Sequence, residues 1–188
     1  MSALVTSAIE RGGLGELLAA RRSGDFAALA HAAPLLEACD LLLLGALADL
    51  IRREEVGDEV KIYANAEVDH GDASIFGARE RGIVLLRRVA IARITGPARA
   101  RVRVDWGSAG LEIAQVALGF GASELEGPIA NKRGLPIAED ATKKLKGQGM
   151  VSVQALAKKE LAGLIRRAGR EPVFASARAN VEASEVRP

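Results

Sequence analysis

Apolar positions in the first third of the chain recur at helical spacing. Leu4, Val5, Ala8 and Ile9 form a short stripe that stops at Gly12-Gly13, and Leu14 to Arg22 predicts a second helix ending at Gly24. Asp25 is placed to cap a segment through Phe26, Leu29 and Ala30, because its carboxylate accepts the free amide hydrogens of a first helical turn. Pro34 suits the first turn of the next helix, where a missing N–H costs nothing. Asp40 repeats the cap signal ahead of Leu41 to Glu55. There Leu43, Leu44, Leu47, Leu50 and Ile51 make an apolar stripe, and Asp49, Arg52, Arg53 and Glu54 take the wet side. Gly57 ends the run as a left-handed cap.

The period then changes from helical to alternating. In Glu59 to Asn65, Val60, Ile62 and Ala64 share one face while Lys61 and Tyr63 take the other, which predicts a strand running into a polar turn at Asp69-His70-Gly71-Asp72. Arg79 to Ile94 is helical, with Ile83, Leu86, Val89, Ala90 and Ile94 apolar, and Gly96-Pro97 closes it. Arg101 to Trp106 alternates again, Val102 and Val104 opposite Arg103 and Asp105. Gly110 to Phe120 returns to helix, and Leu125 to Ile129 reads as a short strand. Asn131 to Met150 is polar and rich in Gly and Lys, as expected of an exposed loop. Gln154 to Ala168 forms a last amphipathic helix, stopped by Gly169, and the tail from Ser176 carries no buried pattern.

Strand, helix, strand, helix, strand, helix is the grammar of a parallel sheet, so the expected class is α/β: N-terminal helices followed by a small parallel sheet. The expected organisation is a single domain over 1–175. Within it, 1–57 is the helical part, 58–130 the βαβαβ part, 131–150 the exposed loop and 151–170 the closing helix, with 176–188 a flexible tail.

Composition narrows the classes. At 188 residues with 49% apolar positions, one domain buries about 70% of the surface its unfolded chain exposes. Charged residues at 27% with a net charge of +2 exclude disorder for most of the chain. The surplus of 26 cations over 24 anions is too small to point to a nucleic acid or a membrane. The first residues lack a basic segment followed by a sustained apolar run, and Leu41 to Ala48 is far short of the ~20 residues of a membrane span, so a cytoplasmic location is expected. Cys39 is the one cysteine, which excludes an intramolecular disulfide and any cysteine-built zinc or iron–sulfur site within one chain.

Few residues announce chemistry. Gly12-Gly13-Leu14-Gly15 does not follow a strand and lacks a terminal Gly-Lys-Ser/Thr, so it reads as a helix–helix connector and not as a phosphate loop. Asp69, His70 and Asp72 gather a histidine and two carboxylates just after a strand, a set able to hold a divalent metal or move a proton in a small hydrolase or lyase. The same residues are also those of an ordinary turn. His31 reads as a helix residue, Cys39 as a small buried hydrophobe, and Trp106 as a packing residue that, with Asp105, ends a strand where a pocket would lie.

Two stretches carry a resemblance. The first runs from Leu35-Leu36-Glu37-Ala38-Cys39-Asp40 through Leu44 to Arg53 and Gly57-Asp58-Glu59-Val60. The second joins Leu86 to Arg93, Trp106, and Glu112-Ile113-Ala114-Gln115-Val116-Ala117-Leu118-Gly119-Phe120-Gly121-Ala122, continuing at Leu125, Gly127 and Ile129. Together with Leu161 to Gly169, Arg170, Pro172 and Val173, they resemble radical S-adenosylmethionine enzymes of menaquinone synthesis. These are aminofutalosine synthase and dehypoxanthine futalosine cyclase, with the related deazaflavin (FO) synthases. The resemblance implies a (β/α) barrel with a CxxxCxxC loop after its first strand, holding a [4Fe–4S] cluster. Here that place is taken by Asp69-His70-Gly71-Asp72-Ala73-Ser74 with no cysteine, and the chain passes directly to the late helix at about Arg79.

What remains corresponds to a partial barrel sector in which Val60–Asn65, Arg101–Trp106 and Leu125–Ile129 are expected to be neighbours. A non-catalytic accessory or binding protein is therefore expected, linked to futalosine-dependent menaquinone synthesis, without a cofactor of its own. Its open sheet edges imply a homodimer or a full-length radical enzyme as partner, and neither nucleic acid nor membrane. Ligand contacts are expected at the strand C-terminal ends, from Asn65, Asp69, His70, Asp72, Asp105, Trp106 and Glu124. The alternatives are the hydrolase or lyase built on Asp69, His70 and Asp72, and a decayed fragment without a role.

Overall fold

The computed structural model describes residues 3–64, 71–77, 82–130 and 156–175. Five helices precede the first strand: α1 (Ala3–Arg11), α2 (Gly15–Ser23), α3 (Phe26–His31), α4 (Ala33–Ala38) and α5 (Leu41–Val56). They begin where the cap signals lie. Asp25 Oδ1 accepts from the Ala28 amide at 3.0 Å, and Asp40 Oδ1 from the Leu43 amide at 2.9 Å. Then follow β1 (Glu59–Ala64), β2 (Ser74–Phe76), α6 (Gly82–Thr95), β3 (Val102–Asp105), α7 (Trp106–Ala109), α8 (Leu111–Ala117) with a 3-10 turn at Leu118–Phe120, and β4 (Glu124–Gly127). The pair β5 (Ile129–Ala130) and β6 (Leu156–Ala157), α9 (Lys158–Arg167) and β7 (Glu171–Phe174) complete the order.

The main sheet has five strands in the order β2-β3-β4-β1-β7, all parallel, so the class is α/β. β4 lies between β3 and β1, which makes the three expected strands neighbours. Their register places Ile62 beside Leu125 and Val104 beside Leu125. Because side chains alternate, these residues and Val60, Val102 and Phe76 point to one face, where they are buried with Leu44, Leu47 and Ile51 of α5 and Leu86, Val89 and Ile94 of α6. Leu161 and Ile165 of α9 join the same core.

Several elements differ from the expected ones. Pro128, which has no amide hydrogen to donate to a ladder, divides the expected Leu125–Ile129 strand into β4 and β5. The expected Gly110–Phe120 helix is α8 with its 3-10 turn, and Gly110, with φ 91°, separates it from α7, a short helix that was not expected. The last helix starts at Lys158, and residues 154 and 155 lie outside the described residues. Ile83, expected on the apolar face of α6, is 65% exposed. β2 and β7 were not expected: β2 is three residues long, too short for alternation to register, and Pro172 masks β7, an edge strand where a proline is tolerated.

Arg52 is the largest correction. Expected on the wet side of α5, it is fully buried. Its Nε donates to Ala122 O at 3.1 Å, Nη1 to Gly57 O at 2.7 Å and Nη2 to Glu59 O at 2.9 Å. One guanidinium thus satisfies three carbonyls where the chain enters β1 and β4. Arg21, Arg93 and Arg170 are buried too. Arg21 clasps Glu55 through Nε at 2.6 Å and Nη2 at 2.9 Å. Arg93 Nε donates to Gly121 O at 2.9 Å, and Arg170 binds Asp49 and Asp58. A buried charge is costly unless its donors are used. Arg52 and Arg93 donate to the turns that precede β1 and β4. Arg21 donates also to the carbonyls of Ile94, Gly96 and Pro97, and Arg170 to Asp49, Asp58 and the Leu118 carbonyl.

The expected loop 131–150 and tail 176–188 lie outside the described residues. No helix among the described residues is long and apolar enough to cross a membrane.

Candidate functional site

Strand alternation sends the polar residues to the sheet face opposite the helices. The register aligns Arg103 with Glu124 and Lys61 in one row, and Asp105 with Glu126 and Tyr63 in the next. The result is a ladder of ion pairs between Arg101 and Arg103 on the β3 side and Glu124 and Glu126 of β4, with Tyr63 of β1 stacked against it. Arg103 is fully buried, and its Nε and Nη2 donate to Glu124 Oε2 at 2.8 and 2.7 Å while Nη1 reaches Glu126 Oε2 at 3.1 Å. Its guanidinium carbon stands 4.0 Å from the centre of the Tyr63 ring, a cation–π contact. Arg101 Nε donates to Glu124 Oε1 at 2.8 Å, and its Nη2 lies 3.4 Å from the Tyr63 hydroxyl. The hydrogen bond to Glu124 raises the Arg101 pKa above the ordinary arginine value.

Electrostatically the ladder closes on itself. Two guanidinium groups face two carboxylates, and Glu124 accepts on both oxygens, Oε1 from Arg101 and Oε2 from Arg103. A side chain so committed positions its neighbours and does not act as a general base.

The expected site residues fall in different places. Asn65, Asp69 and His70 lie outside the described residues. Asp72 is exposed, with Oδ1 3.7 Å from Arg101 Nη1. Asp105 caps α7: Oδ1 accepts from the Gly107 amide at 2.8 Å and Oδ2 from Ser108 Oγ at 2.6 Å. Trp106 is fully buried against the backbone of Gly127, where an added Cβ would stand 2.3 Å from the indole. Glu124 was expected at a strand C-terminal end. It is the first residue of β4, because that strand starts one residue earlier than its apolar pattern indicates. It therefore sits at the opposite end of the sheet from Asp105, the last residue of β3.

Arg101, Arg103, Glu126 and Tyr63 were not singled out from the sequence. Their signal was present in part: Arg103 alternates with Val102 and Val104, and Glu124-Leu125-Glu126 carries the same period. What the sequence did not say is that β3 and β4 pair in the register that puts these charges side by side.

His31 is exposed, with Nδ1 2.7 Å from Ala27 O, and Cys39 is half-buried, its Sγ 3.4 Å from Leu36 O. A [4Fe–4S] cluster requires three or four thiolates, and a chain whose one cysteine ends α4 does not fit it. Among the described residues no three His, Cys, Asp or Glu side chains form a group that could hold a metal ion. At the N-terminal ends of β1, β3 and β4 a cavity of about 240 Å³ opens beside the ladder, lined in part by Lys61, Arg99, Arg101 and Glu124. The chain matches no protein-family model and no curated protein.

Proposed function

We propose that this protein is a non-catalytic relative of the futalosine-type radical enzymes, acting in the cytoplasm as an accessory or binding subunit for a full-length homologue or as a homodimer. The observation that carries the reading is the sheet order. β4 sits between β3 and β1 with all three parallel, the neighbour relation that the last and first strands of a closed barrel would have. A binding role in place of radical chemistry is supported by the single Cys39, and by a ladder in which Arg101, Arg103, Glu124 and Glu126 are engaged with one another. No cofactor, nucleic acid or membrane is invoked.

The test is affinity purification of the tagged chain from its native cell, with the co-purifying proteins identified. Recovery of a full-length radical S-adenosylmethionine enzyme in stoichiometric amount is the expected result. Recovery of the chain with no such enzyme, together with a monomeric mass, overturns the reading.

A further inference from the structure

The cavity at the N-terminal ends of the strands carries a charge pattern that the ladder does not use. On one side of it, Glu124 is neutralised by Arg101 and Arg103. On the other, Lys61 and Arg99 line the wall, and among the described residues neither cationic tip has an ion-pair partner. Arg99 is the one described non-glycine residue with a left-handed backbone, at φ 58°. That conformation is disfavoured for a side chain with a Cβ, and it persists where surrounding contacts impose it. Here Glu55 imposes it: the Arg99 amide donates to Oε2 at 2.9 Å and Arg99 Nε to the Glu55 carbonyl at 3.0 Å. Of the side-chain nitrogens only Nε is used, so the two terminal nitrogens of this wall residue are left to meet a ligand.

Ser123 supplies a third group. Its Oγ accepts from Arg93 Nη2 at 2.9 Å and from the Val102 amide at 3.3 Å, which leaves the hydroxyl proton to donate. Glu59 also lines the wall and is exposed. Two unpaired cations against this one carboxylate give a surplus of one positive charge (2 − 1) beyond the neutral ladder.

We propose that this cavity is a subsite for a small ligand bearing a phosphate group. A guanidinium fork, an ammonium and a hydroxyl approach from separate elements, and a tetrahedral oxyanion has enough oxygens to meet all three. A planar carboxylate that engages the fork leaves the ammonium and hydroxyl unmet. The volume of about 240 Å³ admits a phosphate with a small attached group. The subsite lies at the sheet end opposite Asp105 and does not depend on the accessory role.

The test is a titration of ¹⁵N-labelled protein with inorganic phosphate, followed by amide chemical shifts, with ionic strength held constant by chloride. Parallel arms use acetate and glycerol phosphate. Saturable shifts at Lys61, Arg99 and Ser123 with a millimolar Kd are expected, weakened about tenfold in Lys61→Gln and in Arg99→Gln, since each removes a charge-assisted hydrogen bond. Tighter binding of glycerol phosphate identifies a monoester, and equal or weaker binding identifies free phosphate. Shifts that never saturate, acetate binding as tightly as phosphate, or undiminished binding in Lys61→Gln each overturn the proposal. Should Arg99→Gln lose its native spectrum, Lys61→Gln decides alone, because its exposed ammonium supports no other described side chain.

Discussion

At the scale of single residues, the interior of this protein is held by arginines as much as by leucines. Burial pushes the Arg52 and Arg93 guanidinium groups down to about 10, in Arg52 with the help of the nearby Arg170 charge. Both remain protonated at neutral pH, so their stabilising bonds do not titrate there. Replacing Arg52 with Met leaves the carbonyls of Ala122, Gly57 and Glu59 without their donor, each lost partner costing about 1–3 kcal/mol. We expect a loss of about 3 kcal/mol or more, read as a lower urea midpoint with unchanged slope. Lysine at the same position restores charge without the planar fork and recovers less than half of the loss.

The ladder sorts its members by burial. Glu124→Gln strips the charge that faces both Arg101 and Arg103 and is expected to cost about 3–5 kcal/mol, as the removal of one member of a buried pair does. Glu126 makes one bond to Arg103 and retains some exposure, so Glu126→Gln should cost about 1–2 kcal/mol. Chemical denaturation of the two variants side by side checks the order. The sequence let Arg103 be placed on the polar side of its strand but gave no sign that the side would be buried. Arg52 misled for a related reason: periodicity assigns a charged residue to water, and only tertiary structure reveals three carbonyls waiting behind it.

Elements were legible where local chemistry fixes their ends. Asp25 and Asp40 cap as expected, and Gly24 and Gly57 stop helices with φ 76° and 74°. Asp40 opens α5, the 16-residue helix that packs along α6, so Asp40→Ala is expected to cost about 1 kcal/mol. Thermal melts should show that deficit for Asp40→Ala. Elements defined by pairing were less legible. β2 and β7 exist because β3 and β1 offer their edges, and nothing within Ser74–Phe76 or Glu171–Phe174 declares it alone. The candidate site shares this limit, since Glu124 was noticed without the arginines that surround it.

At the scale of the whole molecule, the parallel sheet ends in β2 on one side and β7 on the other. Among the described residues neither terminal strand pairs on its outer side, and exposed strand edges invite association. Sedimentation or light scattering at micromolar concentration is expected to report a mass of twice 19.7 kDa for the isolated chain. A helical first third and a parallel sheet were both readable from period alone. The strand order was not readable in the same way, because no periodicity within a strand specifies its neighbour.

β1 has a consequence for how the chain is made. It pairs with β4 on one side and with β7 on the other, joining Lys61 to Glu124 and Glu59 to Glu171. Parallel pairing across such separations forms slowly, because long loops must close before any contact rewards them. On a ribosome, β1 emerges long before either partner, and its second flank stays open until Phe174 has cleared the exit tunnel. The main sheet of this protein is therefore completed only once Phe174 has been made, and a chain released before then would present β1 with an open flank to whatever else is nearby.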